Sequence, residues 1–218
     1  MNILLNEVEV RVLGSLVEKE STTPDYYPLS LNALINACNQ KSNRDPEMHL
    51  DEETVRDALH SLNEKNLAAA AGGADSRVTK YEHRLQEVFN FTRPETAIMC
   101  VLMLRGPQTP GELRGRSERI FSFGDLSEVH TALQRLMKRE PPLVKVLPRL
   151  AGTKEARYAH QLSGEQESWL REPAANEVGA ENSADSERIT RLETEVAGIK
   201  QQVSDLQAKL EEFRKQFE

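Results

Sequence analysis

A mainly α-helical chain with small β-hairpins is what this sequence predicts: an α+β fold of two tandem winged helix-turn-helix domains, followed by a C-terminal coiled-coil helix. Three observations carry that reading. A helix pattern occurs twice, a strand signature follows each copy, and an unbroken heptad repeat closes the chain.

The duplicated helix reads V-x-x-A-L-x-x-L, once from Val55 to Leu62 and once from Val129 to Leu136. Apolar residues at i, i+3, i+4 and i+7 share one helix face. An aspartate suited to an N-cap precedes each copy, Asp51 and Asp125. Downstream, Tyr81-Glu82-His83-Arg84-Leu85 matches Tyr158-Ala159-His160-Gln161-Leu162 as Y-x-H-x-L, which alternates like a half-buried strand. Upstream, Thr23-Pro24 is paired with Thr109-Pro110. Three matches in one order predict a duplicated unit.

In the first unit, helix one starts near Asn6, where Asn6 and Glu9 fit a capping box. Val8, Val12 and Leu16 line its apolar face. Ser30 caps helix two, which runs through Leu34, Ile35 and Cys38, and helix three ends near Asn66. A hairpin of Leu67 to Ala71 and Arg77 to Leu85 turns around Gly72-Gly73-Ala74-Asp75, residues that tolerate positive φ. The second unit repeats this order. Pro94 to Arg105, Pro110 to about Arg116 and Asp125 to Arg139 are its helices. Val144 to Leu147 and Arg157 to Leu162 are its strands, with Gly152 at the tip. Three helices followed by a hairpin are the order of a winged helix. On the Thr-Pro landmarks the first unit carries 12 extra residues, assigned to the stretch around Tyr26–Pro28 and Asn39–Pro46. A long polar loop there is either functional or a neutral insertion.

The predicted organisation is therefore a winged helix at 1–90, a second at 91–163, a flexible linker at 164–185 and a coiled-coil helix at 186–218. In the last segment Ile189, Leu192, Val196, Ile199, Val203, Leu206, Leu210, Phe213 and Phe217 alternate at spacings of three and four. Ile or Val at three of the five a positions, with Leu at two of the four d positions, favour a parallel dimer, so self-association is expected. The alternative is an amphipathic helix packed on its own protein.

The formal charge of −7 is unevenly spread. Residues 1–90 hold 9 Lys/Arg against 15 Asp/Glu, residues 91–163 hold 12 against 7, and residues 164–218 hold 7 against 13. A polyanion would meet the basic middle. No run of about 18 apolar residues predicts a membrane span. Met1 to Glu7 lacks the basic start of a signal peptide. Two isolated cysteines, Cys38 and Cys100, suit a reducing cytoplasm.

The chain carries no HExxH, CxxC, P-loop or GxSxG motif, so the expectation is no enzyme, no cofactor and no metal. Cys38 and Cys100 sit on apolar helix faces and are expected in the core. His83 and His160 are expected to pack or hydrogen-bond, because a metal needs three or four ligands at suitable spacing.

The run from Thr22 to Arg44 (TTPDYYPLSLNALINACNQKSNR) resembles the YceH family of bacterial proteins, as do Arg77–Tyr81 and Leu104–Arg114. The resemblance covers roughly residues 4–164. It implies tandem winged-helix domains and no established activity, and it assigns no site residue.

For double-stranded DNA, a winged helix offers helix three to the major groove and the hairpin to the backbone. The candidate contacts lie mostly in the second unit: Arg114, Arg116 and Arg119 near helix two, and Arg135 and Lys138, with Arg139, at the end of helix three. Lys145, Arg149, Lys154 and Arg157 fall on the wing. In the first unit Arg56, with His60 and Asn63, can face bases, but Asp51, Glu52, Glu53, Asp57 and Glu64 repel phosphate. The rival expectation is a protein-interaction scaffold of the tandem winged-helix kind, which suits the acidic first unit and the coiled coil.

Overall fold

Most of the helices start where the sequence supplies a capping oxygen. The computed structural model describes residues 3–71, 78–149, 155–164, 166 and 169. In it α1 (Glu7–Thr22) opens on a reciprocal box: the Asn6 side chain accepts the Glu9 N–H, and the Glu9 carboxylate accepts the Asn6 N–H. A 3-10 turn (Pro24–Tyr26) and a two-residue strand β1 (Leu29–Ser30) follow. Ser30 caps α2 (Leu31–Cys38) and Asp51 caps α3 (Glu52–Glu64). The hairpin β2 (Ala68–Ala71) and β3 (Lys80–His83) comes next, then a short helix α4 (Leu85–Phe89).

The second repeat begins with α5 (Arg93–Arg105). Thr109 caps α6 (Pro110–Ser117) through a full box with Glu112, and Asp125 caps α7 (Leu126–Met137). The hairpin β4 (Val144–Val146) and β5 (Tyr158–His160) completes it. The fold is thus α+β, with small antiparallel sheets ordered β1-β3-β2 and β4-β5. No described helix is long and apolar enough to cross a membrane. Apart from Gly164, Gln166 and Trp169, the linker and heptad segment lie outside the described residues, as do both hairpin tips and Arg77.

Three sequence expectations change. The first return strand was expected to reach Leu85, but it ends at His83 and Leu85 opens α4. Leu85 is only 1% exposed. Burial continues the alternating pattern after the backbone has turned helical. Strand β1 was not anticipated, because two residues after a proline are too few to show a period.

The third change concerns the register of the repeats. Leu29 pairs with Tyr81, and Gln108 pairs with Tyr158, the same tyrosine of each Y-x-H signature. The residues that follow, Ser30 and Thr109, both cap the next helix. Ser30 is therefore the counterpart of Thr109, and Thr23-Pro24 is not. Ser30 to Val55 spans 25 positions and Thr109 to Val129 spans 20, so five of the extra residues lie between helices two and three.

The two repeats share one apolar core. Val12, Leu13 and Leu16 of α1, Ile98, Leu102 and Leu104 of α5, and Leu62 and Leu133 of the duplicated helices belong to a single cluster. Helices α1 and α5 meet at Gly14, where an added Cβ would stand 3.0 Å from Leu104 Cδ2 and 3.1 Å from Met103 Cβ. Real Cβ atoms rarely come that close, so glycine sets this approach. Both cysteines are buried. The Cys100 Sγ lies 3.7 Å from the Gly14 carbonyl, and burial pushes the Cys38 and Cys100 thiols up.

Candidate nucleic-acid interface

The second repeat builds its exposed face from the period of α7. Val129, Ala132, Leu133 and Leu136 turn into the core. That leaves His130, Thr131, Gln134, Arg135 and, at the C-cap, Lys138 exposed. Helix α6 precedes it across an eight-residue connection, Glu118 to Asp125.

The predicted cations divide into two groups. Arg119, Arg135, Lys138 and Arg149 are exposed and make no ion pair among the described residues. Lys145 is exposed on β4. The rest are engaged within the fold. Arg114 donates to the Phe123 and Gly124 carbonyls at 3.3 and 2.8 Å. Arg116 donates to the Gln108 side chain and lies 3.5 Å from Glu112. Arg157 donates to the Trp169 carbonyl at 3.0 Å. Arg139 turns inward to the Phe89 carbonyl and sits 4.9 Å over the Phe91 ring. Lys154 lies outside the described residues.

In the first repeat, Arg56 is held by Glu52 at 2.7 Å, and His60 lies 3.4 Å from Glu64. With Glu53 and Asp57 also exposed, α3 presents an acidic face. The position of Ser61 in this helix is that of Arg135 in α7, and Glu64 stands where Lys138 does.

The two repeat histidines have different surroundings. His83 accepts the Leu85 N–H at Nδ1, 3.3 Å away, so a neutral ring carries its proton on Nε2 and donates it to Glu20 at 2.9 Å. That bond holds the Glu20 carboxyl below its ordinary value. The His83 backbone N–H donates to the Tyr27 hydroxyl at 2.7 Å. His160 instead packs edge-on against Trp169 at 5.1 Å, and burial lowers its pKa to about 4. It is neutral at pH 7. No group of three His, Cys, Asp or Glu residues arranged to hold a metal is found among the described residues.

A buried polar cluster has only a faint mark in the sequence. Arg44, in the loop after α2, is 6% exposed and grips Glu18 of α1 through two bonds of 2.7 and 3.2 Å. It also donates to the Ala37 carbonyl. Burial pushes the Glu18 carboxyl up, but Arg44 outweighs it, so the carboxyl stays below its ordinary range. Arg11, 2% exposed, donates to the Cys38 and Pro46 carbonyls. Asp45 N–H reaches the Leu104 carbonyl at 2.9 Å, and Arg105 donates to Asn43. The polar loop is thus a clamp joining α1, α2 and α5. Its sequence signal is Arg11, Ser15 and Glu18 at i, i+4 and i+7, a polar stripe in the part of α1 where the residues between them are apolar or glycine.

Comparison with known proteins finds sequence relatives in several bacteria. A family described as "Protein of unknown function, DUF480" matches residues 5–153. A UPF0502 protein of Solibacter usitatus is 54% identical over 218 residues, covering 100% of both chains. One from Koribacter versatilis is 55% identical over 196 residues, 90% of each chain. One from Geobacter sulfurreducens is 53% identical over 221 residues, again with 100% coverage of both. With full-length identity at this level, the chain belongs to the YceH/UPF0502 family of bacterial proteins.

Proposed function

We propose that this is a non-enzymatic tandem winged-helix protein whose second repeat binds duplex DNA, and which self-associates through a coiled coil at residues 186–218. The order α5, α6, α7, β4, β5 supports the winged-helix assignment. The observation that carries the DNA reading is the set of exposed cations Arg119, Arg135, Lys138 and Arg149, which make no ion pair among the described residues. Such groups can neutralise phosphates and release counterions without first breaking a bond inside the protein. Gln134 and Thr131 share the exposed face of α7 and offer hydrogen-bonding groups to base edges. The nine a and d positions of the heptad segment support self-association, which would present two such faces to one duplex.

The test is fluorescence anisotropy with duplex DNA over a salt series. Replacing Arg119, Arg135, Lys138 and Arg149 together with alanine is expected to weaken binding. The salt slope should fall by about 1 for each phosphate that is no longer neutralised. No binding by the parent protein at low salt, or unchanged binding by the variant, defeats the reading. The acidic α3 favours a second role in protein recognition.

A further inference from the structure

We propose that the first repeat carries a docking groove for an extended basic polypeptide, between α3 and the free edge of β2. This stands apart from the DNA reading, which uses the other repeat. The groove has a volume of about 270 Å³. Its helix wall is Arg56, His60 and Asn63, and its sheet side is Ala68 to Ala70 with Tyr81.

Three features point to the occupant. The first is an edge. The sheet order β1-β3-β2 leaves no strand beyond β2 among the described residues. Arg84 N–H bonds the Leu67 carbonyl at 2.8 Å, so in this antiparallel register Leu67, Ala69 and Ala71 exchange hydrogen bonds with β3. The N–H and C=O groups of Ala68 and Ala70 therefore point to the outer side, the row that an added strand uses.

The second feature is space. His83 pairs with Ala68, as His160 pairs with Val144. By that register the four alanines Ala68 to Ala71 stand where the second repeat has Val144, Lys145, Val146 and Leu147. Edge strands commonly resist pairing through charged residues such as lysine. The second repeat carries Lys145 at such a place, whereas β2 carries only methyl groups, which let another backbone approach.

The third feature is charge. The two groove-lining groups that can be cationic are already held by carboxylates, Arg56 by Glu52 at 2.7 Å and His60 by Glu64 at 3.4 Å. Glu53 and Asp57 are exposed on the same helix. No carboxylate lines the groove itself, but those of α3 flank it and outnumber its cations, so the helix repels nucleic acid, while lysine or arginine side chains on an added strand gain from it.

The probe is a fluorescein-labelled octapeptide of alternating lysine and valine, titrated by anisotropy against the full-length protein at physiological salt. Saturable binding is expected, with a glutamate-valine peptide at least tenfold weaker. N-methylation of alternate backbone nitrogens should abolish binding by removing the strand donors. Ala70→Val, which copies the second repeat at an exposed position, should weaken binding at least fivefold, and Asp57→Lys with Glu64→Lys should do the same. Circular dichroism on each variant checks the fold. Absence of binding overturns the proposal. So does binding that survives both Ala70→Val and N-methylation, since that is attraction to an acidic surface alone. Duplex DNA binding that is lost in Ala70→Val would assign the groove to nucleic acid and overturn it as well.

Discussion

The two repeats fold the same way and face solvent with opposite charge. The faces that α3 and α7 bury are nearly interchangeable: Val55, Ala58, Leu59 and Leu62 in one, Val129, Ala132, Leu133 and Leu136 in the other. Their outward faces differ at almost every position, with Asp57 against Thr131, half-buried Ser61 against Arg135 and Glu64 against Lys138. The same division runs through the hairpins, where alanines answer valines and a lysine, and through the histidines, where Glu20 answers Trp169. A core slot fixes volume and polarity together, because a misfit methylene or an unpaired polar group costs about 1 kcal/mol or more. An exposed position is bound by neither constraint. A duplicated frame can therefore hold two surfaces of different chemistry, one acidic and one basic.

That comparison can be broken at the clamp, which only the first repeat has. Arg44→Ala leaves Glu18 and the Ala37 carbonyl without their partner in a nearly dry site. The expected loss is about 3–5 kcal/mol. Urea unfolding followed by circular dichroism measures it. A loss below about 1 kcal/mol, the scale of an exposed ion pair, would show that the loop is an ornament rather than a clamp.

It can be sharpened in the core. Leu133 is 1% exposed in the second repeat and Leu59 is 5% exposed in the first. Each change to alanine is expected to cost about 2–5 kcal/mol. Because α1 and α5 interlock at Gly14, both variants should lower one common melting transition of the folded body. Two separated transitions in calorimetry, with each variant moving only one, would make the repeats independent domains.

The histidines give the smallest effect and the most selective one. The folded pKa of His160 lies at about 4, below its ordinary 6.5. Its contribution is whole above pH 6.5 and is lost as pH falls from there toward 4, where the unfolded chain takes a proton that the folded chain refuses. At about 1.4 kcal/mol per pH unit the loss by pH 4 is about 3 kcal/mol. His160→Phe should remove that slope, read as melting temperature against pH. An unchanged slope in His160→Phe would place the titrating group elsewhere. Trp169, the chain's one tryptophan, lies against His160 and provides a fluorescence signal for the same titration.

What the sequence determined by itself was whatever obeys a short-range rule. Caps at Asn6, Ser30, Asp51 and Asp125 and the faces of α3 and α7 follow from spacings of three and four residues, and the structure has them in place. The basic second repeat was equally legible, because charge needs only counting. Tertiary structure decided the rest. It turned Arg139 and Arg157 from expected surface cations into internal ties. It matched Ser30, rather than Thr23, to Thr109, since a strand pairing across about 50 residues sets the register. It also buried Arg11 and Arg44, each tied to a segment 26 to 35 positions away. A side chain's solvent exposure depends on which distant backbone carbonyls come within about 3 Å of it, and no local period encodes that distance.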